Sequence, residues 1–182
     1  MSDDKHQMQS ILSALTNISP LDHIELSDIN VARALVCSEE KFIRSPSEIS
    51  NKHIVVIILL LRKNYVLLGN HIKACDWLPI GGHLEPLETL TECAIRELWE
   101  ELYLKDHGNL SGPFFVSQVI TNDLNDKHTD VGFWFILKLD DDISKLNFNN
   151  EFSELKWFDL SELPITPLGH NLSRAIKKLP RD

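Results

Sequence analysis

GGHLEPLETLTECAIRELWEELYL, residues 81–104, carries six glutamates and one arginine in 24 positions. The segment from about Thr89 to Leu102 predicts an amphipathic helix, because its apolar residues recur at helical spacing. At about 100° per residue they share one side, and three glutamates lie on the other. The apolar side consists of Ala94, Ile95, Leu98 and Leu102, and the acidic side of Glu97, Glu100 and Glu101.

The three glutamates stand at spacings of three and four residues, so their carboxylates form one patch near the end of the helix. Like charges at this spacing cost roughly a few tenths of a kcal/mol per pair, and the negative end of the helix dipole adds to the repulsion. A hard divalent cation such as Mg²⁺ or Mn²⁺ would relieve it, since such ions bind oxygen ligands. The alternative interpretation is a solvated acidic face without a ligand.

The flanking residues complete a spaced pattern: Gly, five residues, Glu, seven residues, Arg-Glu, two residues, Glu-Glu. A six-position pattern of this kind matches a given window by chance about once in ten million, at average residue usage. The segment resembles the signature of the Nudix hydrolases, and the resemblance covers about residues 52–179. The pattern is carried by Gly82, Glu88, Arg96, Glu97, Glu100 and Glu101.

This resemblance implies an α+β fold, namely the Nudix α/β/α sandwich with a mixed β-sheet. It also implies metal-dependent attack of water on a diphosphate bond in a nucleoside diphosphate linked to a group X. The expected cofactor is Mg²⁺ or Mn²⁺, and the expected partner is a small nucleotide. The same family fold leaves two alternatives open, a non-catalytic sensor of a nucleotide metabolite and an isomerase of a prenyl diphosphate.

Site roles follow from the resemblance position by position. It implies that Glu97, Glu100 and Glu101 are catalytic metal ligands, with the carbonyl of Gly81 as a backbone ligand. Glu97 is also expected to orient or deprotonate the attacking water. Glu88 and Arg96 correspond to a structural ion pair that holds the loop against the helix.

A further metal ligand is expected from the distant segment NNEFSELKWF, residues 149–158. Aligned on Trp157, Glu151 falls where the MutT-type branch of the family carries its extra acid. Glu154 is the alternative, and otherwise an exposed acid. The signature has two departures, because Tyr103 and Leu87 stand where the family often has glycine.

The substrate is less well determined. The proline or tyrosine that marks some branches downstream is missing from SQVITN, residues 117–122, and the coenzyme A motif is missing upstream. These absences favour a nucleoside triphosphate or another nucleotide derivative over ADP-ribose or coenzyme A. Candidate substrate-binding residues are His83, next to the glycine pair, His128, in a segment similar to the MutT-type branch, and Asn171, for which a helix N-cap is the alternative. For His128 the alternative is simple surface exposure.

Composition restricts the function classes. The net charge of −9 argues against binding of a nucleic acid polymer, which needs a basic surface. Three cysteines without a CxxC pair are typical of free thiols in a reducing compartment, so a cytoplasmic location is expected. The longest apolar run, residues 54–61, is too short to span a membrane, so no membrane partner is expected.

The chain is predicted to have two parts, a helical N-terminal extension at residues 1–50 and the hydrolase domain at residues 51–182. The extension is expected to pack on the domain and partly cap the site, with a homodimer surface as the alternative. Its second helix is predicted from about Asp28, with Ser27 as the N-cap. Further elements are strands at 53–62, 65–70, 114–120, 131–139 and 154–160, a polar loop at 121–130 and a helix at 172–179.

Overall fold

A computed structural model describes residues 2–38, 42–43, 51–105, 108–123, 126–139, 146–164 and 169–180. Helices and strands alternate in blocks, with two helices first, as the sequence predicts. In chain order the elements are α1 (Ser2–Thr16), α2 (His23–Cys37), β1 (Lys52–Arg62), β2 (Tyr65–His71), β3 (Asp76–Leu78), β4 (Ile80–His83), α3 (Leu90–Leu102), β5 (Leu110–Asp123), β6 (Asp126–Lys138), β7 (Phe152–Asp159) and α4 (Gly169–Lys177).

The strands of the described ranges form one mixed sheet in the order β3-β2-β1-β6-β5, with β7 on β2. β1 and β6 run parallel, whereas the other strand pairs are antiparallel. The predicted hairpin of β1 and β2 is confirmed, since Arg62 pairs with Tyr65 across the turn. The end of β1 pairs with β2, and its middle, from Val55 to Ile58, pairs with β4. β4 therefore lies beside the middle of β1, where it also contacts α3.

The sheet is covered on both faces, which confirms the α/β/α sandwich. Side chains alternate between the faces of a strand, and β1 divides accordingly. Ile54, Val56 and Ile58 pack in one core with apolar residues of α1, α2 and α3. Val55 and Ile57 pack in a second core with residues of α4. No helix within the described ranges is long and apolar enough to cross a membrane.

The predicted start of α2 is wrong. The helix begins at His23, and Asp22 is the N-cap, accepting a hydrogen bond of 2.9 Å from the N–H of Glu25. Ser27 lies inside the helix and is exposed. The first turn escapes a search for apolar periodicity because its inward-facing residue is the charged Glu25, which is 0% exposed.

Buried polar contacts tie α2 to the rest of the fold. The carboxylate of Glu25 accepts a hydrogen bond of 3.2 Å from the N–H of Val116 in β5 and pairs with Lys178, just after α4. Arg174 of α4 pairs with Asp22 at 2.7 Å. A buried carboxylate is tolerated only when it is paired and hydrogen-bonded, and Glu25 is both. The N-terminal helices therefore pack as part of the sandwich.

The polar segment 121–130 is not the predicted loop over its whole length. β5 continues to Asp123 and β6 begins at Asp126, with Thr121 paired to His128. Polar composition favours a loop in a sequence-based prediction, but antiparallel pairing uses backbone groups and tolerates polar side chains. The longer strand is what brings His128 into the sheet.

Candidate active site

The acidic helix α3 is held at its start by a capping box. Thr89 accepts a hydrogen bond of 3.2 Å from the N–H of Glu92, and the Glu92 carboxylate accepts one of 2.8 Å from the N–H of Thr89. Ala94, Leu98 and Leu102 are buried against the sheet, as their spacing predicts. The cap and this apolar stripe fix the direction in which the glutamates of α3 point.

Strand β4 brings two glycines against this helix, and both positions require the absence of a side chain. Gly81 has φ +152°, and a Cβ there would lie 2.0 Å from the carbonyl oxygen of Val56. A Cβ on Gly82 would lie 2.1 Å from Oε1 of Glu97. The close approach of β4 to α3 therefore depends on the glycine pair.

Two of the three glutamates of α3 that are predicted to bind metal are buried at this contact. Glu97 is 7% exposed and Glu101 is 4% exposed. The interpretation as a solvated acidic face is wrong for both. Oε2 of Glu101 accepts a hydrogen bond of 3.0 Å from the N–H of Gly81, so the predicted backbone ligand lies beside a predicted carboxylate ligand.

Burial and mutual repulsion disfavour the charged forms of these two groups. Burial raises the pKa of Glu101 to about 9, with the Gly81 N–H acting in the opposite direction and Glu97 and Glu151 adding repulsion. Burial also raises the pKa of Glu97, against the nearby guanidinium of Arg96. Carboxylates held in this state are typical of functional sites, where a bound cation supplies the missing positive charge.

Arg96 forms the predicted contact with Glu88 and further contacts that the sequence did not predict. Its Nε lies 2.9 Å and its Nη2 lies 3.0 Å from the two oxygens of Glu88, a bidentate pair. The same Nη2 donates to the carbonyl oxygen of His83 at 2.9 Å. Its Nη1 lies 2.7 Å from Oε1 of Glu97 and 3.1 Å from Oε2 of Glu100. One guanidinium therefore joins the loop, β4 and two of the acids.

The third acid of the helix is placed differently. Half of the Glu100 side chain is exposed, at 52%. Its contact to Arg96 draws it toward Glu97, and its charge raises the pKa of Glu97 and of Glu101. Glu100 therefore lies at the solvent edge of the cluster.

Glu151 lies near the same cluster, although it is distant in sequence. The charge of Glu151 contributes to the raised pKa of Glu97 and of Glu101. The loop before β7 is fixed there because the N–H of Asn149 donates to the carbonyl oxygen of Glu101 at 2.8 Å. Glu154 is exposed on β7.

The two candidate histidines lie together on the opposite face of the sheet. In β4, Gly82 faces Glu97, so the next residue, His83, points to the other side. His128 is buried at 5% exposure, so the expectation of an exposed loop histidine is wrong. Both lie near Oδ1 of Asp130, which is 3.5 Å from Nε2 of His83 and 3.4 Å from Nε2 of His128. The ring of His53 lies edge-on to that of His83 and tilted against that of His128.

His53 and Asp130 were missed because the histidines and the aspartate come from three separate strands. Part of the information was in the sequence, since His53, Val55 and Ile57 are spaced by two residues and so lie on one face of a strand. The partner strand, however, is known only from the fold.

Asn171 lies in the first turn of α4, two residues after its start, so the N-cap interpretation is wrong. Its side-chain amide donates a hydrogen bond of 3.0 Å to the carbonyl oxygen of Gln118 in β5. The residue thus joins α4 to the sheet on the face that carries His83 and His128.

The donor set on the α3 face fits a hard divalent cation. It consists of carboxylate oxygens, and two of the carboxyl groups, those of Glu97 and Glu101, are buried and have raised pKa values. These two groups lie next to the glycine pair of β4. Mg²⁺ and Mn²⁺ prefer oxygen ligands of this kind. A cation held by carboxylates in this way is typical of enzymes that hydrolyse phosphoanhydride bonds.

Comparison with known families agrees with this class. The model of the NUDIX domain matches residues 51–179, more than half of the chain, and the chain belongs to the Nudix family. The prediction of an enzyme that hydrolyses phosphoanhydride bonds is confirmed at this level. No curated protein matches the chain.

Solved structures show the same fold at low sequence identity. The MutT protein from Methanosarcina mazei Go1 is 19% identical with a TM-score of 0.53, covering 77% of this chain and 96% of that one. The dihydroneopterin triphosphate pyrophosphohydrolase of E. coli is 19% identical with a TM-score of 0.52, covering 63% and 85%. An Ap4A hydrolase of C. elegans is 18% identical with a TM-score of 0.51, covering 67% and 93%. At these identities the likeness concerns the fold.

Proposed function

We propose that this Nudix protein is a metal-dependent pyrophosphohydrolase that cleaves the diphosphate bond of a nucleoside diphosphate linked to X. The preferred substrate is a nucleoside triphosphate or a related nucleotide derivative rather than ADP-ribose or coenzyme A. The observation that carries the proposal is the burial of Glu97 and Glu101 against the glycine pair of β4. The complete set of signature acids, Glu97, Glu100 and Glu101, favours hydrolysis over a sensor or an isomerase.

The proposed metal ligands are Glu97, Glu100, Glu101, Glu151 and the carbonyl oxygen of Gly81. A bound Mg²⁺ or Mn²⁺ would neutralise the diphosphate and lower the pKa of a bound water. Glu97 is the residue proposed to orient the attacking water or accept its proton. Arg96 and Glu88 position the loop and the start of the acid cluster, as their bidentate contact supports.

The nucleotide is proposed to approach the glycine strand with His83, His128 and Asn171 on the substrate side. His83 directly follows Gly82 and its ring lies near that of His128, which supports a shared role for the two histidines. This group and Asn171 lie on the face of the sheet opposite to the acids of α3, so a nucleotide bound at both places would have to pass the edge of β4. The solved structures similar in fold include a dihydroneopterin triphosphate pyrophosphohydrolase and an Ap4A hydrolase. These two proteins differ in their named substrates, so the choice among nucleotide derivatives rests on the missing branch markers of residues 117–122.

The test is a panel of nucleoside triphosphates, nucleotide sugars and dinucleoside polyphosphates, incubated with Mg²⁺ or Mn²⁺. Release of phosphate or pyrophosphate is then measured for each compound. The proposal expects turnover that requires the metal and is abolished by a chelator. Absence of turnover on every member with folded protein would favour the metabolite sensor.

Variants assign the reaction to the acid cluster. Glu100→Gln and Glu101→Gln are each expected to abolish Mg²⁺-dependent turnover while the protein stays folded. Glu162→Gln serves as the control, because Glu162 is exposed beyond β7. Wild-type rates in Glu100→Gln or Glu101→Gln would contradict the proposal.

The wider setting stays a set of proposals. We divide the chain into an N-terminal extension at residues 1–50 and the Nudix domain at residues 51–182. The predicted cytoplasmic location agrees with the three cysteines, all of which are free thiols. No nucleic acid polymer or membrane is proposed as a partner, and a homodimer stays the alternative role of the extension.

A further inference from the structure

A second cluster of ligand-type side chains lies on the α4 face of the sheet, opposite to the acids of α3. Strand register places its members on one side. His53 pairs with Asp130 across β1 and β6, and Val55 pairs with His83 across β1 and β4. His53 and Val55 are two residues apart, so their side chains lie on the same face of the sheet. Val55 packs in the core under α4, which identifies this face as the α4 face. His128 is two residues before Asp130 and faces the same way.

The four side chains converge on a common centre. One ligand atom from each of His53, His83, His128 and Asp130 lies within 4.8 Å of every other. The centroids of the His53 and His128 rings are 5.0 Å apart, and those of His53 and His83 are 5.6 Å apart. Four residues of three strands therefore present nitrogen and oxygen atoms to one point.

The spacing suits a four-coordinate ion. Bonds of about 2.0–2.2 Å in tetrahedral geometry hold the ligand atoms roughly 3.3–3.6 Å apart. Oδ1 of Asp130 lies 3.5 Å from Nε2 of His83 and 3.4 Å from Nε2 of His128. A charge-assisted hydrogen bond would be shorter, at about 2.7–2.9 Å. Two edges of the tetrahedron are thus present, and the wider separations require small side-chain rotations.

The chemistry of the cluster separates it from the acid site. Three imidazoles and one carboxylate are ligands for Zn²⁺ and its first-row neighbours, whereas Mg²⁺ prefers carboxylates, carbonyls and water. His53 and His128 are buried, which excludes competing water from the centre. The glutamates of α3 lie across the sheet and supply only oxygen.

We propose that His53, His83, His128 and Asp130 form a second metal site, which binds Zn²⁺ or a similar transition-metal ion. The ion would join β1, β4 and β6 at the end of β4 that carries Gly82, and so hold the strand against which Glu97 packs. A contact of His83 or His128 with a substrate then passes through the ion. The site does not depend on the proposed hydrolytic function.

The test uses the full chain, freed of metals by a chelator and titrated with Co²⁺ in excess Mg²⁺, which occupies the carboxylates. Visible absorption reports four-coordinate Co²⁺, and competition with Zn²⁺ gives the relative affinity. We expect one equivalent with the strong visible bands of a tetrahedral ion, displaced by Zn²⁺. Absence of such bands in the wild-type protein would overturn the proposal.

Variants locate the ion. His53→Gln and Asp130→Asn are each expected to lower the affinity for Co²⁺ by at least about tenfold, since even residues behind a metal ligand contribute tenfold or more. His23→Gln is the control, because His23 is exposed on α2 and outside the cluster. Wild-type affinity in both variants, with their fold verified by circular dichroism, would place the ion elsewhere and overturn the assignment.

Discussion

The side-chain amide of Gln7, in α1, donates a hydrogen bond of 2.7 Å to the backbone carbonyl oxygen of Glu88, in the loop before α3. The same amide donates a second bond of 2.8 Å to the carbonyl oxygen of Glu85. Gln7 is buried, although it belongs to a polar sequence. The N-terminal helix therefore contacts the loop whose glutamate pairs with Arg96, and it supports the site from outside the Nudix domain.

Replacing Gln7 by methionine keeps the length of the side chain and removes both hydrogen bonds. The carbonyl oxygen of Glu88 then loses this donor, whereas that of Glu85 still accepts from the N–H of Glu88 at 3.3 Å. Because both contacts are only partly buried, the loss costs at most about 1–3 kcal/mol. We expect a lower denaturation midpoint and a lower turnover, because the loop carrying Glu88 is less well held. Chemical denaturation and steady-state kinetics measure the two effects.

Gln9→Met is the matched control, because Gln9 lies two residues away on α1 and is exposed. It should leave both quantities unchanged. Equal stability of Gln7→Met and Gln9→Met would show that the contact to the loop has no energetic weight.

Variants of Glu151 and Glu154 test which residue is the fourth acid of the proposed metal site. Glu151 lies close enough to Glu97 and Glu101 to raise the pKa of both, whereas Glu154 is exposed on β7. Glu151→Gln is expected to raise the Mg²⁺ concentration needed for half-maximal turnover, while Glu154→Gln leaves it unchanged. Turnover measured against Mg²⁺ concentration distinguishes the two. The reverse order would assign the ligand to Glu154 instead.

Local patterns account for the part of the fold that the sequence predicts. The helix α3 and the hairpin of β1 and β2 need only neighbours in the chain, namely an apolar stripe, a capping residue and a two-residue turn. The acid cluster is read from spacing alone for the same reason. Its burial is not, because a carboxylate on the polar side of a helix is buried only when another element, here β4, comes to lie on it.

Long-range pairing accounts for what the sequence did not predict. His53 meets Asp130 only because β1 and β6 run parallel in one particular register, which no local pattern encodes. The first turn of α2 was not predicted because its inward-facing residue is Glu25, and a search for apolar periodicity does not place a charged residue inside a fold. The partners of Glu25, Val116 of β5 and Lys178 just after α4, are about 90 and 150 residues away in the sequence.

Tyr103 occupies the end of α3 in the left-handed conformation, with φ 53° and ψ 26°. Its N–H donates to the carbonyl oxygen of Trp99 at 3.0 Å, which is the bond of the αL motif that ends many helices. The N–H of Leu104 donates to the carbonyl oxygen of Leu98 at 3.1 Å. A residue with a Cβ costs roughly 1 kcal/mol in this conformation. The departure from the signature at Tyr103 therefore falls on a left-handed residue, the conformation that favours glycine.

Tyr103→Gly and Tyr103→Ala both remove the ring that packs edge-on against Trp99. They differ only in the cost of the left-handed backbone. We expect Tyr103→Gly to unfold with a free energy about 1 kcal/mol higher than Tyr103→Ala, as measured by chemical denaturation. Metal-dependent turnover should be similar in both variants, since Tyr103 is not among the proposed metal ligands. Equal stability would mean that the helix end relaxes in the alanine variant.

The contact between Asp22 and Arg174 predicts a pH dependence. The hydrogen bond from Arg174, followed by the one from the N–H of Glu25, lowers the pKa of Asp22 from 3.8 to about 2. Because the folded pKa is the lower one, the unfolded chain binds more protons between these values, so the stabilisation is present above pH 4 and is lost as the pH falls through about 2. Asp22→Asn keeps an N-cap and removes the charge. The thermal midpoint of Asp22→Asn should therefore lie below that of the wild type at pH 7, and the difference should shrink toward pH 2. A difference that stays constant with pH would show that the charge of Asp22 does not hold α2 to α4.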